Sequence, residues 1–143
     1  MKRFAAVLVF LTMAAPAMGD PSADFAAIDN RLKTCLARNG STPGVDNCNA
    51  QAHSAADRIL NQVYGAQIAQ LNHPSKGDAA DDAEILRRLV ASERAWLTYR
   101  DKNCDFDSTS MLGGTGETNV YSRCLYEMTK QRALYLAGAA GAR

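Results

Sequence analysis

Histidine is scarce in this chain, so the acid–base chemistry that histidine usually supports has few residues to draw on. The 143 residues include two histidines, His53 in a helical pattern among polar residues and His73 in a turn. Neither has an identifiable nucleophile or carboxylate partner. Asp105 and Asp107, separated by one residue, are weak evidence for paired catalytic carboxylates. The run Gly113-Gly-Thr-Gly116 follows no strand and precedes no Lys-Ser/Thr, which argues against a phosphate loop. We therefore predict that the protein is not an enzyme, with no catalytic residues and no cofactor.

A surplus of either charge is also missing. Sixteen lysines and arginines stand against fifteen aspartates and glutamates, and no basic run interrupts the sequence. A near-neutral chain of this kind lacks the electrostatic footprint of a nucleic-acid-binding protein. We expect a protein partner and no nucleic acid.

Long apolar runs are absent except at the start. Residues 4–15 are apolar but too few to span a bilayer, which takes about 20 residues. The basic pair Lys2-Arg3 precedes them and small residues follow at 15–19, a pattern typical of a secretory signal peptide. We predict cleavage of residues 1–19 and one helical domain over residues 20–143, in the periplasm or secreted. No cysteine lies near the predicted cleavage site, so we expect no lipid or membrane anchor.

The four cysteines all lie in the predicted mature part, at Cys35, Cys48, Cys104 and Cys124. An even count in a small exported domain is typical of disulfides, and three pairings are possible. We favour Cys35 with Cys48 and Cys104 with Cys124, because each pair flanks a turn-rich stretch between two helical patterns. A four-cysteine metal site would normally show Cys-x-x-Cys spacing, which is absent, so we predict no metal.

Apolar residues recur at intervals of three and four in four segments, and no segment alternates as a strand would. The first segment spans residues 22–39, and the second opens around Asp46-Asn47 and ends at Leu71. The third ends near Cys104, and the fourth starts near Asn119. Short connections between such helices favour antiparallel neighbours. We predict an all-α, disulfide-stapled antiparallel four-helix bundle.

The third segment carries polar residues on its apolar stripe. Glu93, Trp96 and Arg100 continue the helical spacing of the buried face, and buried charges are costly unless paired. We expect a partly buried polar network through Glu93, Arg100 and Asp101. The alternative places Arg100 and Asp101 on the surface near a helix end. In the second segment Asp57, Asn61 and Tyr64 form a polar edge that would bond to the third helix.

Residues 105–118, between Cys104 and Cys124, are rich in Gly, Ser and Thr and are predicted to form the longest irregular loop. A loop held at both ends by a disulfide is more often functional than a short spacer is. The alternative is that it only connects two helices.

The ordered motifs of the chain resemble the LprI-type lysozyme inhibitor family over roughly residues 35–136. These motifs are Asp57-x-x-Leu60-Asn61-x-x-Tyr64, Glu93-Arg-Ala-Trp96-Leu-x-Tyr99-Arg100-Asp101-x-x-Cys104, a Gly-Gly loop, and Cys124 followed by Thr129-x-x-Arg132. Glu93 stands where the family usually has glutamine, and Thr115 stands where a serine often follows the two glycines. We assign the following residues to a structural polar network: Asp57, Asn61, Tyr64, Glu93, Trp96, Arg100, Asp101 and Arg132.

The resemblance implies a small periplasmic or secreted helical domain that, in some members, inhibits lysozyme. A lysozyme cleft carries two carboxylates, so an inhibitor must present donors to them or plug the groove. The candidate target-binding residues lie in or beside the loop: Ser108, Thr109, Ser110, Gly113, Gly114, Thr115 and Arg123. The alternative function is a non-inhibitory periplasmic interaction or envelope-stress module with the same fold.

Overall fold

The computed structural model describes residues 20–73 and 79–141, so the predicted signal peptide, residues 1–19, lies outside the described part. The described residues form helices and turns and contain no strand, which confirms the all-α prediction. Four long helices and a short 3-10 turn follow one another: α1 (Ser22–Arg38), α2 (Thr42–Leu71), α3 (Ala79–Ser108), the turn (Thr109–Met111) and α4 (Glu117–Gly141).

Successive helices run antiparallel, so α2 and α4 are parallel, and these two share the most extensive interface. Near their starts, the Asn49 side chain donates to the carbonyl of Asn119 at 3.2 Å. Near their ends, the Gln67 amide donates to the carbonyl of Leu136. The side chains of Ala56 and Ala133 are fully buried, and such small residues let neighbouring backbones approach closely. Helix α1 packs mainly on α2, and α3 packs mainly on α4.

The core contains the apolar stripes that the sequence predicts, together with one tyrosine from α4. Burying one side chain of the size of Phe25 or Leu60 stabilises the fold by about 1.5–3 kcal/mol. The buried core residues are Phe25, Ile28, Ala52, Ala56, Leu60, Val63, Leu89, Tyr126, Ala133 and Leu136.

The disulfides join Cys35 to Cys48 and Cys104 to Cys124, the pairing predicted from the sequence, with Cα–Cα distances of 5.8 and 5.4 Å. Both lie at the end of the bundle where α1 and α3 finish and where α2 and α4 begin. We call this the stapled end. Each bridge restricts the unfolded chain and stabilises the fold by about 3 kcal/mol in the chain-entropy account.

Helix α2 begins at Thr42, four residues before the predicted start, so the interpretation of residues 41–44 as a separate turn was wrong. The Ser41 side chain accepts a hydrogen bond from the Gly44 amide at 3.2 Å and caps the helix. Pro43 then lies in the first turn, where a missing N–H is not needed. Ser and Pro disfavour a helix interior, but both are favoured at a helix start, as here.

The connection between α3 and α4 is shorter than predicted, because α3 continues past Cys104 to Ser108 and α4 already begins at Glu117. Only residues 112–116 are irregular. The hydroxyls of Ser108 and Thr109 donate to the carbonyls three residues earlier, at 2.7 Å in both cases. These bonds satisfy carbonyls at the helix end, so Ser and Thr prolong the helical path here. The prediction of a long irregular loop over residues 105–118 was wrong.

Candidate functional site

Three large apolar side chains are exposed at the stapled end. Phe106, at the end of α3, is 74% exposed, and Met111 and Leu112, in the connection to α4, are 50% and 75% exposed. They lie within seven residues of sequence. Single exposed apolar residues are ordinary, whereas several close together are typical of interaction sites. We call these three residues the apolar cap.

The connection that carries the apolar cap is internally bonded. The Gly114 amide donates to the carbonyl of Met111 at 2.8 Å, and the Leu112 amide donates to the carbonyl of Thr109 at 3.1 Å. The Gly113 amide donates to the carboxylate of Glu117, in the first turn of α4, at 3.1 Å. Gly113 has a φ of 73°, a conformation that favours glycine. The connection between α3 and α4 therefore presents Met111 and Leu112 on an ordered backbone.

Most of the predicted target-binding donors already form hydrogen bonds within the connection between α3 and α4. Ser108 is only 4% exposed, and its hydroxyl donates to the carbonyl of Asp105, so little of this side chain is available to a partner. The Thr109 hydroxyl and the amides of Gly113 and Gly114 already donate within the turn. Three other predicted target-binding residues are exposed, and no hydrogen bond of their side chains is described: Ser110, Thr115 and Arg123.

Sequence reasoning missed the apolar cap because the stretch was judged by its Gly, Ser and Thr content. The signal that was available is that Phe106, Met111 and Leu112 interrupt a polar stretch without helical periodicity toward the core.

A groove of about 450 Å³ lies beside the Cys104–Cys124 disulfide, between the end of α3 and the start of α4. Asp107 approaches the sulfur of Cys124 at 3.5 Å. Ser110 and Arg123 belong to the same lining, which is completed by Asn103, Val120, Glu127 and Met128. The groove thus places mixed charge next to the apolar cap.

A polar network lies between α3 and α4, and its ionic contacts join residues of the predicted set. Glu93 accepts from Arg132 of α4 at 2.9 Å, and Arg132 also donates to the hydroxyl of Ser92 at 2.8 Å. Arg100 donates twice to Asp101, its neighbour in sequence and a member of the predicted network, at 2.8 and 2.9 Å. A further donation from Arg100 reaches the fully buried Thr129 hydroxyl of α4 at 3.3 Å.

Trp96 joins the two halves of this network. The guanidinium of Arg100 lies 5.2 Å from its ring centroid and that of Arg132 lies 5.6 Å from it. Both distances are within the range of cation–π attraction. Because these groups hold α3 to α4, the network positions the helices that carry the apolar cap.

The predicted polar edge of α2 bonds within its own helix. Asn61 donates to the carboxylate of Asp57, one turn earlier, at 3.0 Å. Tyr64 packs against the core. The expected bonding to α3 is not among the described contacts of this edge.

A second polar link, which the sequence did not reveal, ties α1 to α4. The carboxylate of Asp29 accepts hydrogen bonds from the hydroxyl of the buried Tyr126 and from Lys130, the latter at 2.6 Å. Burial, and then the hydrogen bond to Asp29, raise the pKa of Tyr126 above its usual range. Burial alone would raise the pKa of Asp29, but the hydrogen bonds from Lys130 and Tyr126 outweigh it and lower that pKa.

The fold defines a small all-α bundle whose one end is closed by two disulfides and carries an exposed apolar cap. None of the helices in residues 20–73 and 79–141 has both the length and the hydropathy needed to cross a membrane. The family model for the lysozyme inhibitor LprI matches residues 35–136, and the chain belongs to this family.

Two curated relatives are similar to the chain. An uncharacterized protein, R02472, of Rhizobium meliloti (strain 1021) is 36% identical over 92 residues, which cover 62% of this chain and 66% of the relative. The uncharacterized protein YecT of Escherichia coli (strain K12) is 32% identical over 79 residues, which cover 52% of this chain and 49% of the relative. The chain thus spans about two thirds and one half of their lengths. No solved structure shows significant similarity to it.

Proposed function

We propose that this protein acts outside the cytoplasm, in the periplasm or after secretion, as an inhibitor that binds a lysozyme through its stapled end. Membership of the LprI lysozyme inhibitor family supports the activity. The two disulfides support an oxidising compartment, since disulfides persist there and are rare in the cytosol. The observation that carries the assignment of the surface is the apolar cap.

The apolar cap has the character of a binding hot spot. Hot spots are large side chains, often aromatic, that become fully desolvated in well-packed pockets near the centre of an interface. Complete burial of Phe106 and Leu112 would each contribute about 1.5–3 kcal/mol before the costs of association. The cap is held on a bonded turn and a helix end, so little ordering cost is added on binding.

The shape of this end suits a groove-plugging mode of inhibition. The cap lies where two helices meet at the end of the bundle, and a lysozyme cleft is concave and carries two carboxylates. Arg123, Ser110 and Thr115 lie beside the cap and supply donors. We propose that the apolar side chains enter the cleft while these polar groups bond at its rim.

The test is an inhibition titration of the disulfide-intact protein against several lysozyme types in a cell-wall lysis assay. Phe106→Ala and Leu112→Ala should each weaken inhibition about tenfold or more, as loss of a hot spot does. Leu97→Ala is the matched control. Leu97 is also an exposed apolar residue of α3, and it lies more than two helical turns before Phe106. The control should inhibit as the unchanged protein does.

Two results would contradict the proposal in different ways. No inhibition of any lysozyme type by the folded protein would reject the activity and favour a non-inhibitory periplasmic interaction module. Unchanged inhibition by both cap variants, with helical circular dichroism and melting temperature preserved, would keep the activity but move its surface elsewhere.

A further inference from the structure

A groove runs between α1 and α2. Its volume is about 530 Å³, and all of its lining comes from α1 and α2. Asp29, the α1 residue that bonds to α4, is not part of the lining. The apolar part of the lining includes Ala52 and Ala55 of α2 together with Ile28 and Leu32 of α1, and the short alanine side chains leave room between the helices. The size lies within the range of ligand sites, about 300–1,000 Å³.

The charged residues that line this groove are both cationic, Arg31 of α1 and Arg58 of α2. Within the described part of the chain, neither forms an ion pair; the recorded contact of Arg58 is a donation to the hydroxyl of Ser54 at 3.2 Å. Arg87 on α3, in contrast, is neutralised by Glu84 at 2.7 Å. A concave surface with charge of one sign attracts ligands of the opposite sign.

The disulfide register fixes the spacing of the two arginines. Cys35 and Cys48 are joined, and α1 and α2 recede from that bridge in the same direction. Arg31 is four residues before Cys35, about 6 Å along the axis, and Arg58 is ten residues after Cys48, about 15 Å. The Cα atoms of the two arginines are therefore offset by roughly 9 Å along the groove, the rise of about six residues in a helix.

We propose that this groove is a second binding site, which takes an acidic segment of a partner protein. Two carboxylates about 9 Å apart would pair with Arg31 and Arg58, and an apolar side chain between them would contact Ala52 and Ala55. A lipid with one anionic headgroup and a chain would satisfy one arginine and leave the other unpaired. The site lies on different helices from the apolar cap and does not depend on lysozyme inhibition.

The first experiment selects ligands without assuming a sequence. A random twelve-residue peptide display library is panned against the disulfide-intact protein, and in parallel against the R31Q/R58Q double variant. We expect enrichment of peptides whose two acidic residues span about 9 Å, roughly three positions apart if extended or six if helical, with an apolar residue between them. This enrichment should be lost on the double variant. Absence of acidic enrichment, or its persistence on the double variant, overturns the proposal.

The second experiment measures an enriched peptide by fluorescence anisotropy at low and high salt. Arg31→Gln and Arg58→Gln should each weaken binding about fivefold, the upper range for an exposed ion pair, and the double variant about 25-fold if the sites are independent. Arg94→Gln, an exposed α3 arginine without an ion pair in the described structure, is the control and should bind normally.

A steric variant and a lipid arm complete the test. Ala55→Leu fills the groove without changing charge and should also weaken the peptide, with helical circular dichroism preserved. The peptide with both acidic residues changed to amides should bind at least tenfold more weakly. Three results would overturn the assignment to an acidic segment. The first is equal binding by the amide peptide, and the second is unchanged peptide binding by Ala55→Leu. The third is binding to phosphatidylglycerol vesicles that depends on Arg31 and Arg58 and is stronger than binding to the peptide.

Discussion

Glu93 of α3 and Arg132 of α4 form the least exposed ion pair of the described residues, with side chains 9% and 11% exposed and an N–O distance of 2.9 Å. Desolvating both charges is costly, so such a pair adds little net stability compared with apolar residues of the same size. Removing one partner destabilises the protein strongly, because the remaining charge is left buried without its partner. The pair therefore fixes how α3 sits on α4 more than it adds to the total stability.

Removing the carboxylate should destabilise the protein strongly. Glu93→Ala leaves Arg132 unpaired beside Trp96 and should lower the free energy of unfolding by about 3–5 kcal/mol, measured by urea denaturation. Glu93→Gln should cost clearly less, because its amide oxygen still accepts from Arg132. Similar losses for the two variants would show that the buried pair is not what holds these helices.

His53 should make the stability depend on pH. Burial, followed by the nearby positive charge of Arg100, lowers the pKa of His53 below its ordinary value of 6.5. The unfolded chain then binds this proton more readily than the folded one. The contribution of His53 is therefore fully present above pH 6.5 and is lost as pH falls through the lower pKa of the folded state.

The measurement is urea unfolding at several pH values from 8 down to 5, with His53→Gln as the comparison. The unchanged protein should lose stability over this window, and the variant should lose less of it. The Asp29 carboxylate does not confuse the result, because its pKa is lowered from 3.8 and its effect falls at more acidic pH. Parallel pH profiles for the two proteins would contradict the prediction.

Two glycines with open space around them should respond in opposite directions to the same change. A Cβ added at Gly65 or at Gly113 meets no neighbouring atom within 4 Å. The effect of an alanine on stability is therefore set by the backbone conformation at each position. Gly65 lies inside α2, where alanine is favoured by about 0.5–1 kcal/mol. Gly113 has a φ of 73°, where an L side chain costs about 1–2 kcal/mol.

Gly65→Ala should therefore raise the melting temperature and Gly113→Ala should lower it, as followed by circular dichroism. The pair acts as its own control, since the chemical change is identical. A destabilising Gly65→Ala would contradict the regular helix described at that position. An unaffected Gly113→Ala would show that the turn relaxes out of the left-handed conformation at little cost.

Local patterns were sufficient for the parts of this protein that depend on neighbouring residues. The spacing of Phe25, Ile28 and Leu32 predicts a helix because these positions share one face at 3.6 residues per turn. The even cysteine count between helical segments predicts two hairpin-like bridges, and the structure forms them. The motifs from residue 57 to residue 132 indicate the LprI family, which the family match over residues 35–136 confirms.

Partners that are distant in sequence were decided only by the tertiary structure. Glu93 and Arg100 share the apolar stripe of α3, but seven residues separate them by about 10.5 Å along the axis, too far for a direct bond. Arg132 reaches Glu93 from α4, because the antiparallel packing of α3 and α4 places them opposite each other. Periodicity identifies which face is buried; which side chain meets it depends on the neighbouring helix.

The same reason explains the ends of the helices and the apolar cap. Composition alone made residues 105–111 look irregular, yet the hydroxyls of Ser108 and Thr109 satisfy carbonyls of the helix end and keep the chain helical. Phe106, Met111 and Leu112 are apolar by sequence, which usually predicts burial. Their exposure follows from the position of the connection beyond the last core layer, where no other described helix covers them. The missing helical periodicity of these three residues is a signal against burial, but only the tertiary structure shows that this end of the bundle stays uncovered.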